Sequence, residues 1–201
     1  MIENFPPYVV DTSKLNADRL AHMTRNFINP TQPGARIAGN YDAALAEIHW
    51  LGAKVNNTHL GRIFEICWWD ALIACGVHPM SVRLHVDVSG GHHAEADLLG
   101  HAHSKDVALL VKTSFRERWK QPDRDALIIE RIYWERGPQQ GRYQIPVYVM
   151  TLREQPDRTA MQAINHARQI QQMFHSHATV ASVLDEEVTS QVIRAFGGTV
   201  E

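Results

Sequence analysis

Cysteine is scarce. The chain carries only Cys67 and Cys75, both in an apolar stretch with helical spacing. Two cysteines are too few for a disulfide scaffold or an all-cysteine zinc site, and they fit a reducing cytosol. Long hydrophobic runs are missing as well: none approaches the roughly 18–20 residues that span a bilayer. The opening MIENFPPYVVDTSK has no basic segment leading into an apolar one, so a secretory leader is not expected and a cytoplasmic location is. Neither sign of charge dominates, since 20 basic residues face 22 acidic ones for a net charge of −2. Bulk basicity therefore cannot drive nucleic-acid binding, and any DNA site must be a local concentration of charge. Internal repeats and low-complexity segments are also absent. What remains is a 201-residue chain, 44% hydrophobic and 21% charged, long enough to bury one substantial core.

Residues 14–28 and 41–54 have amphipathic helical spacing, and the breaker-rich NPTQPGARIAGN between them reads as a loop. Thr58 is placed to cap the next helix, GRIFEICWWDALIAC, which ends at Gly76 with Pro79 beyond. The period then changes. SVRLHVDVS (81–89) alternates like a strand, and residues 94–100 and 106–113 read as a hairpin around the turn-like HAHSKD. The uninterrupted VALLV suggests a central strand covered on both faces. A charged helix follows over roughly 116–132, then a loop with Gly137, Pro138 and Gly141. A β-rich run at 145–152 and two closing helices at about 157–176 and 185–196 complete the chain. The expectation is an α/β fold with a mixed central sheet flanked by helices. It forms a single domain: 1–57 a helical extension, 58–152 the core, 153–201 C-terminal helices.

The stretch AEADLLGHAHSKDVALLVKTSFRERWKQPDRDA is the one that suggests chemistry. Asp97 and Lys112 lie 15 positions apart on adjacent strands of the expected hairpin, which would bring them side by side. An acid there can hold a divalent ion while a lysine orients a water and offsets phosphate charge, the requirements of metal-assisted phosphodiester hydrolysis. Further oxygen ligands are needed, because Mg²⁺ prefers six oxygens and keeps several waters.

Asp97, the strand ending in Lys112, and then Arg116-Glu117-Arg118-Trp119-Lys120 resemble the core of type II restriction endonucleases of the PD-(D/E)XK superfamily. The resemblance spans roughly residues 58–152, and KTSFRERWKQ is its specific part. The acid usual two residues before the lysine is Leu110 here. One branch of the family moves that carboxylate to the following helix, and Asp125, 13 positions beyond Lys112, matches that spacing with Asp for the usual Glu. Asp123 and Glu130 are the alternatives. Glu65, in Gly61-x-x-Phe64-Glu65, stands where many relatives carry an auxiliary carboxylate. The resemblance thus implies a restriction-endonuclease-like fold and Mg²⁺ held by Asp97, Asp125 and Glu65. It further implies double-stranded DNA as substrate and a homodimer for a palindromic site. It also assigns Arg116, Glu117 and Arg118 to base reading, with Lys120 beside them on the DNA. Arginine bonds guanine O6 and N7 in two prongs, and glutamate accepts from the cytosine amino group, so the triplet suits consecutive C·G pairs.

Other residues read more plainly. Glu95 shares the face of Asp97 on a regular strand and is a possible extra ligand. His92-His93 and His101-x-His103 have no third and fourth ligand at zinc spacing and read as surface turn residues. Phe64, Trp68 and Trp69 read as core or dimer contacts, and Trp119 as a packing residue. Two other functions fit the same residues: a repair or modification-dependent nuclease, and a non-catalytic DNA-binding relative, for which Leu110 speaks.

Overall fold

Proline opens the first helix and asparagine caps the second in the computed structural model, which describes residues 31–50, 56–88, 94–113, 119–136, 144–152 and 159–200. Helix α1 (Pro33–Trp50) begins inside the segment expected to be a loop. Pro33 occupies the first turn, where its missing N–H costs nothing. Ile37, Tyr41, Ala44 and Ile48 recur on one buried face, and their burial outweighs the cost of Gly34 and Gly39. The helix expected over 14–28 lies outside the described residues.

Helix α2 (Asn57–Ala74) is capped by Asn56 rather than Thr58: the Asn56 side chain accepts from the His59 N–H, and the His59 side chain answers the Asn56 N–H. It closes as a Schellman motif on Gly76, whose φ of 89° is open to glycine without strain; Val77 N–H donates to Leu72 and Gly76 N–H to Ile73. Phe64, Trp68 and Trp69 are core residues, as expected. Cys67 and Cys75 are buried free thiols.

Strands β1 (Val82–Asp87), β2 (Glu95–Ala102) and β3 (Lys105–Lys112) follow, then helix α3 (Lys120–Arg136), strand β4 (Val147–Thr151), helix α4 (Ala160–Gln171), strand β5 (Thr179–Ser182) and helix α5 (Glu186–Ala195). They form a mixed five-stranded sheet in the order β1-β2-β3-β4-β5; the first three strands are antiparallel neighbours, and β4 and β5 run parallel to β3. Strand β3 is central, with Val107, Leu109 and Val111 in one core cluster and Ala108 and Leu110 in the other. The first cluster packs the sheet on α1, α2 and α5, the second on α3 and α4. The α/β expectation holds, and the sequence helix, three strands, helix, strand over α2 to β4 is consistent with a restriction-endonuclease-like core.

Strand β5 corrects the expectation of nothing but helices after residue 152. At four residues it is too short to show a period in sequence, yet it pairs with β4, and Val180, Ala181 and Ser182 are buried. The β2–β3 turn is tighter than HAHSKD suggested. It consists of His103 and Ser104 alone, both left-handed with φ of 51° and 62°, as a type I′ hairpin turn demands.

Candidate functional site

The β2–β3 register pairs Leu98 with Leu109, which sets Asp97 opposite Leu110 and leaves Lys112 at the end of the central strand. Asp97 Oδ2 accepts from the Val111 N–H at 2.6 Å and from Lys112 Nζ at 3.5 Å. Leu110 is buried in the cluster under α3 and α4. The position that usually carries an acid is thus a core position here.

The β1–β2 register places His85 opposite Asp97, between the pairs Leu84–Leu98 and Val86–Ala96. Leu84 and Leu98 belong to one core cluster, whereas Val86 and Ala96, two positions along, belong to the other. Alternate residues of a regular strand share a face, so both strands turn over at His85 and Asp97. His85 carries part of that reversal in a left-handed φ of 50°.

Helix α2 delivers Glu65 to the same point. Its Oε2 lies 2.7 Å from His85 Nε2 and 3.6 Å from Arg62 on its own helix. The other ring nitrogen, His85 Nδ1, makes a short hydrogen bond with the Glu95 carboxylate. Donor atoms of Glu65, His85 and Asp97 all lie within 4.8 Å of one another, the one such group among the described residues. Glu65 and Asp97 are buried, while the His85 side chain is partly exposed.

The electrostatics follow from this crowding. Burial pushes the Asp97 carboxyl up to about 6; the Lys112 ammonium opposes the rise and Glu65 adds to it. His85 is pushed up to about 8, chiefly by its hydrogen bond with Glu65, against the effect of its own burial. Burial also raises Asp125, which feels Lys112 and Arg124 as opposing charges and Glu95 as a like one.

The structure therefore brings together Asp97, Lys112 and Glu65, with Asp125 in electrostatic reach but outside the close group. Asp123 and Glu130 are engaged elsewhere. Asp123 accepts from the backbone N–H groups of His175 and Ser176, and Glu130 from that of His177. Arg116, Glu117 and Arg118 lie outside the described residues, as do His92 and His93. Lys120 is exposed at the start of α3, its ammonium 5.9 Å from the centre of the Trp119 ring. Trp119 packs against Phe174 at 6.2 Å between ring centres, the packing role expected of it. His101 is an exposed partner of Asp106, and His103 forms the turn.

Sequence reasoning overlooked His85. The information was present, because His85 and Asp97 stand six positions either side of residue 91, the midpoint of the β1–β2 register. Among the described residues no helix is long and apolar enough to cross a membrane. Compared with known proteins, the chain matches no family model, no curated protein and no solved structure.

Proposed function

We propose that the protein is a Mg²⁺-dependent, sequence-specific endonuclease of double-stranded DNA, of the type II restriction kind. The observation that carries this reading is the contact of Asp97 with Lys112 at the end of the central strand, where α2 also brings Glu65. A divalent ion at these carboxylates supplies positive charge to a scissile phosphate and acidifies a water. Asp97 and Glu65 would hold the ion, and Asp125, which feels the Lys112 charge, would add a carboxylate in place of the acid missing at Leu110. Lys112 donates from its ammonium to orient the attacking water and offsets charge building on the phosphate. Its side chain is 28% exposed, so it is reachable from solvent. Arg116, Glu117 and Arg118 read base edges of a short C/G-rich word, and Lys120 contacts the DNA beside them. The product ends carry 5′-phosphate, and a palindromic word is met by a homodimer.

Incubation with plasmid and Mg²⁺, followed by sequencing of the fragment ends, tests this reading. Discrete ends sharing a short C/G-rich word are expected, with Lys112→Ala abolishing cleavage while DNA binding persists. Cleavage retained in Lys112→Ala refutes the catalytic assignment. Damage-dependent or random cuts point to a repair or modification-dependent nuclease, and binding without any cutting points to a non-catalytic relative.

A further inference from the structure

We propose that the metal centre of this protein is a Glu65–His85–Asp97 triad in which His85 Nε2 is a ligand and Glu95 orients it, so that the site takes a transition-series divalent ion such as Mn²⁺ in preference to Mg²⁺. The inference builds on the metal-dependent reading above and changes its ligand set.

Three features carry it. One atom each of Glu65, His85 and Asp97 falls within 4.8 Å of the others, a spacing that a single ion can bridge, and the three come from three different elements. The His85 ring presents Nε2 to this group while Nδ1 is bonded to the Glu95 carboxylate. A carboxylate on the far nitrogen is what fixes the tautomer and ring orientation of a metal-ligating histidine and raises its basicity as a ligand. The strand reversal at His85 and Asp97, which passes the strand ends from one core cluster to the other, also falls at the one pair that faces Glu65. Backbone conformations of this kind persist where the surroundings require them and cluster at functional positions.

The donor set then decides the ion. Two carboxylate oxygens would suit Mg²⁺, but Mg²⁺ holds oxygen and water far better than imidazole. An imidazole nitrogen shifts preference toward first-row transition ions, whose affinities exceed that of Mg²⁺ at mixed nitrogen and oxygen sites. Arg62, 3.6 Å from Glu65, is near enough to compete for that carboxylate when no ion is bound.

Mn²⁺ binding to the full-length protein without DNA, followed by electron paramagnetic resonance, gives the test. Bound Mn²⁺ should show coupling to a directly ligated nitrogen that changes when the histidines are ¹⁵N-labelled. His85→Asn, which keeps a residue tolerant of the left-handed backbone, should lose that coupling and bind Mn²⁺ at least about tenfold more weakly, with Mg²⁺ affinity changed far less. Glu95→Gln should keep the coupling and weaken binding by a smaller factor. Mn²⁺ bound without nitrogen coupling, or bound equally by His85→Asn, overturns the triad and leaves the nuclease reading standing. Absence of Mn²⁺ binding by the wild-type chain also overturns it. Nitrogen coupling in a protein that cuts no DNA upholds the triad while the nuclease reading fails.

Discussion

Asp97 keeps its proton to about pH 6 because its burial and Glu65 together outweigh Lys112. An unfolded aspartate loses its proton near pH 4. Between these values the folded chain holds a proton that the unfolded chain has released, so stability falls as pH rises across the window. His85 acts in the same direction one step higher. Its folded value of about 8 exceeds the ordinary 6.5, so its stabilisation is complete below pH 6.5 and lost as pH passes 8. Metal-free protein should therefore melt at progressively lower temperature from pH 5 to pH 8.5 in thermal denaturation. Asp97→Asn should flatten the lower part of that slope and raise the melting temperature at pH 7.5, by up to roughly 3 kcal/mol of stability, while abolishing cleavage. A wild-type melting temperature that rises over this range would contradict the account. Asp97 and Lys112 were legible at this scale because residue type and hairpin spacing suffice to pair them, whereas Glu65 came only with the family resemblance. His85 was not, because its importance lies in a register between two strands. Nor could sequence show that Asp123 is spent on the backbone of His175 and Ser176, 52 and 53 positions away.

Elements were legible where a period ran long enough to be seen. The β2–β3 hairpin and the buried run of β3 are such cases; β5, with four residues, is not. The start of α1 was misjudged because Pro and Gly punctuate loops in general, whereas here the proline sits in the one turn of a helix that tolerates it. Two substitutions probe elements directly. His103 and Ser104 hold left-handed conformations that cost ordinary residues roughly 1–2 kcal/mol each, so His103→Asn with Ser104→Gly should stabilise the chain by about 1 kcal/mol in urea denaturation, with cleavage unchanged. Gly100 in β2 is needed for close approach: a Cβ there would lie 2.4 Å from Cδ1 of Phe196 and 3.2 Å from Cγ1 of Val107. Gly100→Ala should cost about 1–3 kcal/mol, the range for forcing an extra group into a packed core. An unchanged urea midpoint would show that the Phe196 ring yields freely.

For the molecule as a whole, net charge of −2 means that binding to arbitrary DNA gains little from long-range attraction. On the proposed endonuclease reading, recognition then has to come from a few base contacts. Arg118→Ala should lower discrimination at one guanine by about 1–3 kcal/mol, measured as the affinity ratio between cognate and single-substituted duplexes. An equal loss for every duplex would make Arg118 a phosphate contact. The fold is also closed by contacts far apart in the chain. The Glu186 carboxylate at the start of α5 accepts from the N–H groups of Gly34 and Ala35 at 2.9 and 2.7 Å, fixing the start of α1 across 152 and 151 positions. Phe196 covers Gly100 across 96 positions of sequence. On the ribosome these closures come late. At synthesis rates of about 5–20 residues per second, the strand bearing Asp97 waits roughly 5–20 s for its covering ring. A nascent chain in that interval has an incomplete sheet, so it should engage chaperones until translation has passed Phe196.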